Sequence, residues 1–552
     1  MIKISNKVLP YFSRKMIFPL MFLLISAFSA TAQKKDLAWY TANAPFKMPV
    51  VATPVFSDKV FSIKDFGAVS DGQTLNTTAF EKTIAACATA GGGKVVVPAG
   101  LWLTGPIQLK SNINLEVQRG AIILFTKDHS QYPIIKASNT STNYQPASPI
   151  YGYDLKNIAI TGEGIIDGGG DSWRPVKKGK TTEAQWKGLL ASGGVLSKDG
   201  GLWWPSKEAM EGEDFVKQLK LKTAKPLAAD YLPARDYLRP HLLFLVNCEN
   251  ILVEGVTIRN SPKFLFYPSK CINLTIQHAN FYNEWWAQNG DAIDISACEN
   301  VVVYDCNVSA GDDAICMKSS RGKSDLSDAF NLQNILIAGC NVYNGHGGFV
   351  IGSNTDGGMR NIFVTDCNFI GTDIGIRVKS NAGRGGVVKD IYICNIYMKD
   401  ILHEAISFDT YYEDVPAGTV KDTIRTIRDK TPMFSDFHLS NIYCNGAEIA
   451  VSITGLPEMP ITKLMFDNVV ISAKKGFEAS DATQLNLKSV KIITPESPIY
   501  TLNNVKGFYI TDGYFPVDAK VFIKADAKSS DIKVLSTDLR NIKGALEFAA
   551  KK

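Results

Sequence analysis

The chain has 552 residues, 45% hydrophobic and 20% charged, a composition that supports a large folded core and excludes intrinsic disorder. Its formal charge of +5 is small for this length and argues against a nucleic-acid partner, which would call for a concentrated basic surface.

Residues 1–32 begin with Lys3, Lys7, Arg14 and Lys15, pass through an apolar run at 16–28 and end in Ala30-Thr31-Ala32. This is the pattern of a secretory signal peptide; the apolar run is roughly half the ~20 residues a bilayer span needs, so no membrane span is expected in the mature chain. The expected location is secreted or periplasmic, and Gln33 stands where a lipoprotein would have Cys. Losing this leader takes away four positive charges and no acidic ones, so the formal charge falls from +5 to +1 and attraction for a polyanion has to be local.

Residues 33–59 read as a lead-in segment. In FSIKDFGAVSDGQTLNTTAF, which starts at Phe61, Asp71-Gly72 makes a turn, and residues 77–88 form a helix with Phe80, Ile84 and Cys87 on one side. That helix is expected to cap the coil that follows.

From Asn157 the chain keeps returning to Asn, two or three apolar or β-branched residues, then a turn: NIAITG at 157, NILVEGVTI at 250, NLTIQ at 273, NVVVYDC at 300, NILIAGC at 334 and NIFVTDC at 361. Successive Asn between 250 and 361 are 23, 27, 34 and 27 residues apart, irregular in the way of turns with varied insertions. A second strand recurs in each unit, in DAIDIS, DAICMKS, GFVIGS, GIRVKS and AISFDT. Single rungs cannot bury an apolar face, whereas stacked rungs share one interior. The expected fold is all-β, a single-stranded right-handed parallel β-helix with an N-terminal capping helix. It is placed at residues 60–535, with a C-terminal tail at 536–552.

Ten cysteines in an exported chain would ordinarily suggest disulfides. Here Cys248, Cys271 and Cys298 each stand two residues before a repeat Asn, and Cys306, Cys340 and Cys367 six after one. They are expected to form ladders of mostly free, buried thiols.

Two stretches break the repeat. Residues 168–239 contain Trp203-Trp204 and read as a loop excursion on one rung, with the tryptophans pinning it to the coil. Residues 411–432 form a second, charged excursion opening with Tyr411 and Tyr412, one of which could stack on a sugar ring. Long loops on a rigid coil commonly wall a binding cleft.

Four neighbouring rungs carry Asn289-Gly290-Asp291, Gly311-Asp312-Asp313, Gly345-His346-Gly347 and Arg377-Val378-Lys379. With ~4.8 Å between strands, these converge on one patch if they hold corresponding places. Arg377 and Lys379 leave the same face of their strand, and two adjacent cations call for an anion. Three crowded carboxyls raise at least one pKa, leaving an acid beside bases, which is what glycosidic cleavage requires. Alone, Asp-Asp after Gly is more often a turn or a calcium ligand, and His346 a turn residue.

Taken together, the four motifs, the GAVSDG opening and RPHLLFLVNCENILVEGVTIRNSP resemble glycoside hydrolase family 28, the polygalacturonases, over residues 60–470. The resemblance implies inverting hydrolysis of α-1,4-linked galacturonan in pectin or its oligomers, with Asp312 as general acid, Asp291 and Asp313 activating water, and His346 tuning the site. It implies that Arg377 and Lys379 hold the sugar carboxylate, with Asn289, Tyr411 and Tyr412 as further substrate contacts, and that no metal or cofactor takes part. NGD stands for the usual NTD and RVK for RIK. Rhamnogalacturonan-cleaving members lack the histidine motif, so GHG favours galacturonan, and the large insertion leans toward exo action. The alternatives are a hydrolase for rhamnogalacturonan or another pectin branch, a calcium-dependent pectate lyase, and a non-catalytic carbohydrate-binding coil. A mere ladder would repeat one residue type, unlike this mixture of acids, imidazole and cations.

Overall fold

The repeat asparagines occupy the corners of the coil. Asn157, Asn250, Asn273, Asn300, Asn334 and Asn361 all take the left-handed backbone conformation, φ between 52° and 59°, which Asn tolerates better than other side chains. Each side-chain amide donates to the Asn oxygen one rung earlier at 3.0 or 3.1 Å, beginning with Asn157 onto Asn112. A second ladder runs through Asn280, Asn307, Asn341 and Asn368. The residue that marks the repeat in sequence is thus the one that turns the chain.

The computed structural model describes residues 35–320, 330–413, 426–427, 430–514, 520–537 and 544–548. The signal peptide expected at 1–32, and much of the excursion at 411–432, lie outside the described residues. By its contacts the chain divides into Met1–Asn43 and Ala44–Lys552. In the first unit Leu37–Ala42 is helical, and the Asp36 side chain caps it by accepting from the Trp39 N–H at 2.8 Å.

The second unit is a parallel β-helix of right-handed sense, its strands joined into one 34-stranded parallel system. Each rung contributes three strands rather than the two expected. Leu243–Val246, Glu249–Glu254 and Thr257–Arg259 pair respectively with Phe266–Ser269, Ile272–Gln277 and Asn280–Tyr282 on the next rung. The third strand is only three residues long, too short for a visible alternation. From Met359–Ile370 onward the second and third strands run together as one.

One apolar cluster fills the interior from Ile63 to Ala525. Helix Thr77–Thr89 buries Phe80, Ile84 and Cys87 against it, as expected of a cap. The turn before it needs glycine: Gly72 has φ 71°, and a Cβ there would stand 2.4 Å from Leu101 Cδ2. All ten cysteines are free, nine of them buried, and Cys394 is partly buried. Eight of them lie in the apolar interior, whereas Cys316 stands beside Lys318 and Asp313 and Cys394 donates to Thr365.

Two boundaries differ from expectation. The stretch at 168–239 is more than a loop: Val176–Lys177, Leu202–Trp204 and Val195–Leu196 form a small antiparallel sheet, with helices Glu183–Ala191, Lys207–Lys222 and Arg235–Leu238 around it. Trp203 packs with Val176 and Trp186 against Trp286 of the coil, so it does pin the insertion. At the other end, Gly544–Phe548 pairs with Val521–Ala525 and adds a strand inside the segment taken for a tail. Among the described residues no helix is long and apolar enough to cross a membrane.

Candidate active site

Strands Ile293–Ser296, Asp313–Lys318, Gly347–Ile351, Ile376–Lys379 and Glu404–Asp409 lie side by side on one face of the coil. Asp313 pairs with Gly347, the Ala292 N–H donates to Asp313 O at 3.0 Å, and the His346 N–H donates to Asp312 O at 2.7 Å. NGD, GDD and GHG are therefore level, as their spacing suggests. RVK is not: Arg377 is opposite Val350, which is opposite Cys316, three residues beyond Asp313. Its cations return by their length. Lys379 Nζ reaches Asp313 Oδ2 at 2.7 Å, and Arg377 Nη1 lies 3.6 Å from Oδ1.

Two glycines let the neighbouring loop approach. A Cβ on Gly311 would stand 2.3 Å from Ala287 O, and one on Gly290 would stand 2.7 Å from Ala287 Cβ. The second contact accounts for glycine in the middle of NGD.

Asp291, Asp312 and Asp313 each offer a carboxylate oxygen within 4.8 Å of the other two. Their environments differ. Asp291 and Asp313 are 3% and 2% exposed, whereas the Asp312 side chain is partly open. Burial, then the charges of Asp294 and Asp312, push the Asp291 pKa well up. Burial acts the same way on Asp313, but Lys379, Lys318 and Arg377 together outweigh it and hold Asp313 below the usual carboxylate range. Neighbouring carboxyls of one site are thus pushed in opposite directions, Asp291 upward and Asp313 downward. Asp291 Oδ1 and Asp313 Oδ1 find no hydrogen-bond donor among the described residues, so both remain acceptors that a water could use.

His346 Nδ1 lies 2.9 Å from Asp312 Oδ1, and Nε2 lies 3.6 Å from Asp373 Oδ2. Asn289 Oδ1 accepts from Arg239 Nη2 at 2.9 Å, at the end of the insertion. Two expected sugar contacts change character. Tyr411 is 5% exposed, with no open face for a sugar ring. Tyr412 roofs the cations, its ring 4.9 Å from Lys379 Nζ and 5.4 Å from the Arg377 guanidinium carbon. Lys379 is itself 5% exposed and committed to Asp313, which leaves Arg377 the more open of the pair.

Sequence reasoning passes over Asp294, Lys318, Asp373 and Lys180. Asp294 and Lys318 stand in the strands DAIDIS and DAICMKS, and a charge inside an apolar run is the available signal. Lys318 Nζ lies 3.3 Å from Asp294 Oδ2 and 3.8 Å from Asp291 Oδ2. Asp294 is fully buried, and that burial raises its pKa to about 6 despite Lys318. A raised folded value means that the native state binds the proton more tightly than the unfolded chain, whose carboxyl titrates near ~3.9. The stability this contributes is full below that value and is lost as pH rises through about 6. Melting wild type and Asp294→Asn between pH 4 and 7 is expected to show wild type losing ground to the variant as pH rises. A stability difference flat across that window would contradict this linkage.

Three carboxylates this close could in principle ligate a cation. Lys379, Lys318 and Arg377 already supply positive charge to them, which makes the cluster a poor site for a divalent ion.

The profile described as Glycosyl hydrolases family 28 matches residues 233–495, a span that holds all four site motifs. A second, Rhamnogalacturonase A/epimerase, pectate lyase-like, matches residues 60–187, ahead of the first site aspartate. The chain is 28% identical over 421 residues to a probable polygalacturonase of Vitis vinifera, covering 74% of each. It is 28% identical over 448 residues to the exo-poly-alpha-D-galacturonosidase of Dickeya chrysanthemi, covering 78% of this chain and 70% of that one. The crystal structure of a hyperthermoactive exopolygalacturonase from Thermotoga maritima matches with a TM-score of 0.65 at 28% identity, over 80% of this chain and 94% of that one. By this family match and these relatives, the chain belongs to glycosyl hydrolases family 28 and is a glycoside hydrolase of the polygalacturonase type.

Proposed function

We propose that the protein, after export, hydrolyses the α-1,4-galacturonosidic bonds of pectin with inversion, removing product from a chain end. The observation that carries this reading is the division of labour among the three aspartates. Asp312, partly open and with His346 Nδ1 2.9 Å from its Oδ1, is the group able to reach a glycosidic oxygen and protonate it. Asp313, buried and clamped by Lys379, cannot itself approach an anomeric carbon and acts through a water shared with Asp291.

Buried bases acting through water support inversion, although the oxygens lie closer than the ~6.5–9.5 Å usual for inverting pairs. Exo action is supported by the insertion, which sends Lys180 and Arg239 into the site, and by the two exo-acting relatives. An endo-polygalacturonase of Pectobacterium carotovorum at 27% identity stands on the other side. Export is supported by the leader pattern of residues 1–32.

Product analysis on polygalacturonate tests all of this together. A single short product from the earliest time, first formed as the β anomer by proton NMR, is the expected result. A ladder of lengths sinks exo action, an α product sinks inversion, and a chelator-sensitive, ultraviolet-absorbing unsaturated product sinks hydrolysis. Turnover of rhamnogalacturonan alone would move the substrate to that branch.

A further inference from the structure

Lys180 is a cation of the site that the hydrolysis just described leaves without a role. It comes from the insertion, at the end of the short 3₁₀ turn Lys178–Lys180. Its ammonium donates to Trp285 O at 3.2 Å and Gly311 O at 3.3 Å, and stands 3.1 Å from His346 Nε2. Because an ammonium can only donate, Nε2 is the nitrogen that accepts from it, and the hydrogen sits on Nδ1, which lies 2.9 Å from Asp312 Oδ1. Lys180 therefore sits one imidazole beyond the carboxyl that faces the leaving oxygen.

Its neighbours distinguish it from the other lysines of the cleft. Lys379 and Lys318 have a carboxylate at 2.7 and 3.3 Å respectively. Lys180 touches only neutral acceptors and, among the described residues, makes no ion pair. Asp373 and Asp312 act on it from farther away, against a burial that pulls its pKa down. A half-buried ammonium without a counter-ion is costly unless an anion arrives. Beside it lies Trp285, 47% exposed with its ring 5.9 Å from the ammonium, an open aromatic face of the kind on which sugars stack.

We propose that Lys180 is a specificity-determining residue that binds the carboxylate of the acidic sugar on the leaving-group side of the scissile bond, with Trp285 beneath that sugar. This rests on the reading of Asp312 as the acid and galacturonan as the substrate. The insertion thereby supplies a cation that the coil itself does not place there. Arg377 and Lys379 gather on Asp313, whereas Lys180 meets Asp312 through His346.

The test compares wild type, Lys180→Met and Lys180→Arg on trigalacturonate and on its methyl ester. Lys180→Met is expected to lower the acid-to-ester ratio of kcat/KM by about 10–100-fold, the value of one charge-assisted hydrogen bond, chiefly through KM on the acid. Lys180→Arg is expected to recover most of that ratio, and melting temperatures confirm that each variant is folded. Equal losses on both substrates would mean that Lys180 only secures the insertion and His346, and would overturn the proposal. Wild type inactive on both would instead sink the galacturonan reading. In that event calorimetric binding of digalacturonate to wild type and Lys180→Met decides the point, and equal affinity or no binding overturns the role of Lys180.

Discussion

Asp312→Asn is expected to lower turnover by at least ~10²–10⁴-fold, the range of a general acid, while leaving the melting temperature and oligosaccharide binding nearly unchanged. The amide has the shape of the carboxyl and keeps an oxygen that can face His346 Nδ1, now 2.9 Å from Oδ1, so the loop has no reason to move. What disappears is a proton that can be given to the leaving oxygen. The side chain is partly open, so no buried charge loses its partner. Initial rates on polygalacturonate, with melting curves on the same samples, check both halves. Undiminished turnover would remove Asp312 from the acid role. Unfolding would show that the residue supports the coil rather than the chemistry.

Lys379→Met is expected to cost about 3–5 kcal/mol of stability and to depress turnover on acidic and esterified substrates alike. Lys379 is nearly buried and its ammonium lies 2.7 Å from Asp313, itself 2% exposed. Removing that charge leaves a buried carboxylate with Arg377 at 3.6 Å and Lys318 as its remaining support, so the Asp313 pKa rises and the base is lost. Denaturant titration and rates on both substrates measure the outcome. The spacing of Arg377 and Lys379 alone leads to a different expectation, a loss confined to acidic substrate because Lys379 would grip the sugar carboxylate. Unchanged stability with a loss on the acidic substrate only would restore that role.

The divergence has a structural cause. Sequence spacing places Arg377 and Lys379 on one face, and they are there; it could not place them along the strand relative to Asp313. RVK sits three residues farther along its strand than GDD does along its own, an offset that hydrogen-bond register rather than residue order settles. A lysine has the length to span that offset, and having spanned it ends at a buried carboxylate, not in solvent. Tyr411 follows the same logic: position next to a strand is readable, but which of two adjacent rings faces the cleft depends on the twist of the loop.

By itself the sequence determined the coil, its capping helix, the stacked Asn and Cys positions and the convergence of three aspartates with a histidine. All of these follow from local rules of turning and burial repeated rung after rung. The tertiary structure alone decided that burial raises the Asp291 pKa while Lys379, Lys318 and Arg377 hold that of Asp313 down, because neighbours distant in sequence set the field at each carboxyl. It alone brought Lys180 to His346 across 166 positions of sequence, since a folded insertion carries no periodicity from which its docking could be read.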